Sequence, residues 1–72
     1  MNDRDIVLEG VKKDGYALFY ASDEVKHDKS FLLKAVKANG IALKYVPKEL
    51  RKDKEIITEA VKNKEDALAF VP

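Results

Sequence analysis

His27 is the only imidazole in this 72-residue chain, and there is no cysteine beside it. A lone histidine works as a general base only next to a nucleophile or a second acid, and the sequence supplies neither in register. Its place at the end of an expected short helix suits a cation facing the negative end of the helix dipole. Ser22 and Ser30 stand near helix starts, outside any nucleophile-elbow pattern. Asp3-x-Asp5 lacks the later glycine and glutamate of a calcium loop and reads as helix-start chemistry. Gly15 and Gly40 are isolated and follow helices, whereas phosphate-cradling loops are glycine-rich and precede one. Glu9 before Lys12 and Lys13, and Glu59 before Lys62, have the spacing of helix-surface ion pairs. The expectation is a protein that is not an enzyme and holds no cofactor or metal.

Two binding chemistries remain. Lys34, Lys37, Lys44, Lys48, Arg51 and Lys52 form a basic band that nucleic acid or an acidic protein surface could meet. Residues 3–27 carry a net charge of −2, residues 28–52 of +5 and residues 53–72 of −2, which together make the overall +1. A solvated face balancing acidic neighbours is the plainer reading, because aromatics are not interleaved with these lysines. The other chemistry is protein contact. Phe19 has Lys44 and Ala69 as its equivalents, so its position faces solvent. It is either a contact residue or a cover over an open end, with the cover preferred.

Those equivalences come from a repeat. Asp3–His27 and Asp28–Lys52 are identical at nine of twenty-five aligned positions, and the pattern runs on through Asp53–Pro72 before it stops. A 25-residue period marks a stacked array whose units are each too small to bury their own apolar face. The units are 3–27, 28–52 and 53–72, the last truncated, within one domain spanning 1–72. Met1-Asn2 is expected to fray. The chain stops at Phe70-Val71-Pro72, where a third helix of the last unit would start.

Each unit opens on an aspartate (Asp3, Asp28, Asp53), a short carboxylate suited to the free N–H groups of a helix start. Phe31, Leu32, Ala35 and Val36 then mark one helical face, matched by Ile6, Val7, Gly10, Val11 and by Ile56, Ile57, Ala60, Val61. The small third residue implies close approach by a neighbour. Asp14-Gly15 and Asn39-Gly40 read as helix ends with glycine in the left-handed conformation, folding Tyr16 onto Val11 and Ile41 onto Val36. A second short helix follows, with Ala42, Leu43 and Tyr45 inward, matched by Ala17, Leu18 and Tyr20. Tyr20, Tyr45 and Phe70 are therefore expected in the core. Ser22 and Pro47 announce a third short helix carrying Val25 or Leu50.

Leu8, Leu33 and Thr58 share a position beside the main apolar face. Two leucines and a threonine suggest a surface that the next unit covers and that lies bare in the last. Polar Glu65 and Asp66, where glycine and an apolar residue stand earlier, fit a terminal unit with nothing stacked on it or simple drift. An apolar share of 46% argues against disorder. No stretch reaches the 18 or so apolar residues of a membrane span, and no signal peptide follows Met1, which makes the cytoplasm the default setting.

The unit pattern resembles the repeat of the domain-of-unknown-function family numbered 4116. Asp28-Lys29, Ala35-Val36-Lys37, Asn39-Gly40, Ala42-Leu43-x-Tyr45 and Glu49-Leu50 carry the match. Asp14-Gly15-Tyr16-Ala17-Leu18 and Tyr20-Ala21-Ser22 carry it in the first unit, and Lys64, Glu65 and Asp66 depart from it. The resemblance implies helical arrays of bacterial and protist proteins, including secreted effectors of intracellular bacteria. It brings no catalytic residue.

The combined expectation is an all-α array of about three short helices per unit, a small solenoid or compact bundle. Its function is a non-catalytic scaffold or protein-interaction module, with weak polyanion binding through the middle unit as the alternative. Phe19, Lys34, Lys37, Lys44, Lys48 and Arg51 are the candidate partner-binding residues.

Overall fold

The computed structural model describes residues 3–71. Met1, Asn2, Pro72 and the Asp3 side chain lie outside the described residues, and with them the fraying end and the first expected cap. The rest is all-α. Helix α1 (Asp3–Lys13), a 3₁₀ helix (Gly15–Tyr20) and α2 (Asp23–Lys26) are followed by α3 (Lys29–Ala38), a second 3₁₀ helix (Gly40–Tyr45) and α4 (Lys48–Arg51). Helix α5 (Lys54–Asn63) and a third 3₁₀ helix (Glu65–Phe70) complete the chain, and no strand occurs among the described residues.

Local chemistry accounts for the starts. The Asp28 carboxylate accepts from the Phe31 N–H, Asp53 from those of Glu55 and Ile56, and the Ser22 hydroxyl from that of Val25. Pro47 occupies the cap of α4 with no side-chain bond, since proline needs only its fixed φ there. The third 3₁₀ helix forms although Lys64 offers it no side-chain cap.

The expected left-handed glycine ends do not occur. No described residue has positive φ. Asp14 and Asn39 are instead extended, and their side chains accept from the N–H groups of Tyr16 and Ile41. This Asx turn closes one helix and starts the next in a single step, so glycine has no left-handed position to fill. Tyr16 packs among other rings.

The core is built from equivalent positions of the three units. Val11, Leu18, Leu32, Val36, Leu43 and Ile56 are fully buried, with Ala35, Ala42, Ala60 and Ala67 between them. Helix α3 packs against α1 on one side and α5 on the other, and the second 3₁₀ helix lies against both its counterparts. The alanines allow that approach. Two expected core positions stand outside: Ile6 is 54% and Tyr20 is 74% exposed, although their equivalents Phe31 and Ile56 are buried and Tyr45 and Phe70 are half-buried.

Polar contacts also run from one unit to the next. Arg4 Nη2 meets Asp28 Oδ2 at 3.1 Å, and Lys29 Nζ meets Asp53 Oδ2 and Glu55 Oε1 at 3.1 Å each. The Asn39 amide donates to the Val11 carbonyl and the Asn63 amide to that of Lys37, both at 2.9 Å. The Asn63 oxygen accepts from the Gly40 N–H at 2.8 Å. Helix-end carbonyls of one unit thus find donors in the next.

These contacts set an acid dependence. The Phe31 N–H, then Arg4, holds the Asp28 carboxyl below its ordinary value, and Lys29, then the Ile56 and Glu55 N–H groups, does so for Asp53. A lowered folded-state value contributes stability that is complete above the ordinary carboxyl range and is lost as pH falls through the folded value. The same pair raises Lys29, whose share is present below the ordinary lysine range and lost as pH rises through its folded value. Asp28→Asn keeps the cap and removes the charge. Its melting temperature should lie below that of the parent at neutral pH and converge with it as acid protonates the Asp28 carboxyl. Parallel curves would contradict this assignment.

Candidate binding face

The three 3₁₀ helices lie side by side and bring aromatic side chains from separate units together. Phe19 stacks on Tyr16 with ring centroids 5.3 Å apart and planes 13° from parallel. Tyr16 meets Tyr20 edge-on at 5.2 Å and, across the unit boundary, Tyr45 at 5.1 Å. Lys44 Nζ sits 5.7 Å from the Tyr45 ring centroid and 5.7 Å from that of Phe70 in the third unit. Lys26 Nζ lies 5.6 Å from Phe19. The result is a ring ladder in which Phe19, Tyr16 and Tyr45 meet ring to ring, Phe70 joins through the Lys44 ammonium, and Lys26 edges Phe19.

Much of this ladder is in water. Phe19 is 54% exposed, Tyr16 is also exposed, and Tyr45 and Phe70 are half-buried. Tyr20, first by its hydroxyl and then by its charge, pushes the Tyr16 phenol above the ordinary tyrosine value. The Tyr16 hydroxyl is thus engaged with that of Tyr20 at the rim of the rings.

The other candidate residues scatter. Lys34 lines a groove with Arg4, Asp5 and Asp28 between α1 and α3, whereas Lys37 lines a depression with Glu59, Lys62 and Asn63 beside α5. Lys48 is exposed on α4. Arg51 turns back onto the fold, with Nη1 donating to the Lys44 carbonyl at 3.3 Å and Nε buried. Of the six, only Lys44 and Phe19 reach the ring ladder. Tyr16, Tyr45 and Phe70 were not legible as a site, because their meeting depends on how units pack.

His27 and Ser22 serve the ends of α2. His27 caps α2, its Nδ1 donating to the Asp23 carbonyl at 2.7 Å while Nε2 stands 3.5 Å from Glu49 Oε1. Backbone bonding at Glu49, with His27 second, keeps that carboxyl below its ordinary value. Ser22 caps α2, and Ser30 is exposed in the first turn of α3. Glu9–Lys12 and Glu59–Lys62 form surface pairs at 3.2 and 3.7 Å. Among the described residues no cluster of three metal-ligating side chains occurs, and no helix is long and apolar enough to cross a membrane.

The domain of unknown function DUF4116 matches residues 3–51 and again residues 28–72. The chain belongs to this family. The two matches begin 25 residues apart, at Asp3 and Asp28, and overlap over residues 28–51. No curated protein and no solved structure matches the chain.

Proposed function

We propose that this DUF4116 chain is a non-catalytic helical-repeat scaffold, a small solenoid that binds another protein through the ring ladder on its 3₁₀ helices. The carrying observation is the partly solvated run Phe19–Tyr16–Tyr45, extended to Phe70 by the Lys44 ammonium and edged by Lys26. Aromatic side chains that are already ordered lose little entropy on docking, and protein interfaces are enriched in them for that reason. The structural use of His27, Ser22 and Asp28 supports the non-catalytic part. Without cysteine the chain is indifferent to redox compartment, and an intracellular setting and delivery as a bacterial effector are both compatible with this reading.

Affinity capture tests this reading. Tyr16→Ser/Phe19→Ser should lose the partners that the parent chain retains, whereas Thr58→Lys, an exposed change on α5, should keep them. Each variant is checked by its melting curve. Retention by the ring variant would contradict the proposal.

One observation favours a second reading. Lys44 lies among rings, the arrangement that single-stranded nucleic acid uses for stacking and phosphate contact. Because only Lys44 and Lys26 stand at the rings, binding should be no tighter than about 10⁻⁴–10⁻⁶ M at physiological salt and should fall steeply as salt rises. Lys44→Glu/Lys48→Glu should abolish it, and Arg51 is left in place because it supports the Lys44 carbonyl. Nanomolar binding to random oligonucleotides would reverse the order of the two readings.

A further inference from the structure

Comparison of equivalent positions separates the two faces of a unit. Phe31, Ala35 and Ala42 in the second unit, and Ile56, Ala60 and Ala67 in the third, are buried. The same positions in the first unit are Ile6, Gly10 and Ala17, none of them buried, and Ile6 is 54% exposed. A Cβ on Gly15 would lie 3.0 Å from the Ala42 N, and one on Gly40 would press on the Ala60 carbonyl oxygen. The small residues of this face therefore receive the glycine of the unit before. Tyr45 is met by Tyr16, and Phe70 by Lys44, again from the unit before. Among the described residues the rings that Tyr20 meets are Tyr16 and Phe19 of its own unit, and it stays 74% exposed.

The opposite face carries a barrier to the same contact. Where Gly15 and Gly40 are buried against the next unit, the third unit has exposed Glu65. Thr58 replaces Leu8 and Leu33 and is likewise exposed. Leu68, the equivalent of buried Leu18 and Leu43, is 56% exposed, so apolar surface is bare at this end too and Glu65 is what blocks the seat. A glutamate cannot occupy a position where even a Cβ meets backbone, so a second copy cannot seat its own end on the first unit.

We propose that the first-unit face of Ile6, Gly10, Ala17 and Tyr20 is a stacking surface for one further helical unit of this kind. That unit carries glycine at the Gly40 position and leucine at the Leu43 position, and is joined to Asp3 as Asp28 is joined to unit one. Covalent connection is required because a 25-residue unit cannot present the roughly 20–30 residues per side of a freestanding interface. The inference rests on the stacked-repeat part of the proposed function and is independent of what the ring ladder binds.

The test places a second copy of residues 28–52 directly before Asp3 of the full chain, with a copy of residues 3–27 as the alternative added unit. One cooperative transition is expected, with a denaturant slope about one third larger because the added unit buries surface in proportion. Amide exchange in α1 should slow by at least about tenfold. Changing the added unit's glycine to glutamate, as at Glu65, should return slope and exchange to those of the parent. Separate transitions, unchanged exchange in α1 with both added units, or a gain that survives the glutamate would overturn the proposal. So would a dimer of the parent chain that Ile6→Asp dissolves, since the face would then serve a second copy. Loss of the ring-variant effect on partner capture leaves this result untouched, so the two failures are distinguishable.

Discussion

Leu43→Ala is expected to cost about 2–5 kcal/mol, the range for emptying a buried leucine site that cannot collapse. Leu43 is fully buried in the second 3₁₀ helix, between Ala42 and the half-buried Tyr45. Its surroundings come from all three units, because that helix contacts both other 3₁₀ helices and α5. The cavity is therefore held open by elements that are pinned elsewhere. A domain of this length has a total stability of about 4–11 kcal/mol. The loss is a large fraction of it, and part of the population should unfold at room temperature. Chemical denaturation reads the effect directly, and a change below about 1 kcal/mol would mean the second 3₁₀ helix does not present Leu43 inward.

Gly40→Ala should also destabilise, by about 1–3 kcal/mol or more, although alanine restricts the unfolded chain and would stabilise at a permissive site. The cause is steric. An added Cβ would meet the Ala60 carbonyl oxygen, with the Lys64 N at 3.0 Å and Lys64 Cβ at 3.1 Å. Two of these three atoms are backbone and cannot swing away. Relief requires α5 to move off the second 3₁₀ helix, which would strain the Asn63 bonds to Gly40 and Lys37. Gly15→Ala faces slightly longer contacts with Ala42 and should cost less. Equal or raised stability of Gly40→Ala in a denaturant melt would contradict the close packing of these two elements.

The same residue shows what the sequence could and could not reveal. Asn39-Gly40 marks a helix end in any reading, but the string fits both a left-handed glycine cap and an Asx turn with glycine under a neighbour. Local pattern cannot choose between them, since the deciding atoms belong to Ala60 and Lys64. Asp28, Asp53 and Ser22 were legible as caps because a cap needs only residues within three positions of it. The apolar faces of α3 and α5 were legible from their spacing. Tyr20 was misplaced for the opposite reason. Its identity matches Tyr45, yet burial at that position depends on a preceding unit, which only the second and third units have. The ring ladder was hidden likewise, because Tyr16 has Ile41 and Asp66 as equivalents and no repeat pattern marks it as a contact.

The central claim, that a protein partner docks on the ring ladder, is tested most directly by mapping a captured partner on the amide spectrum of the labelled chain. The account predicts shifts concentrated at Tyr16, Phe19, Lys44, Tyr45 and Phe70, with α5 residues such as Thr58 and Glu59 undisturbed. Shifts centred on Lys34 and Lys37 of α3, with the ring residues silent, would contradict it.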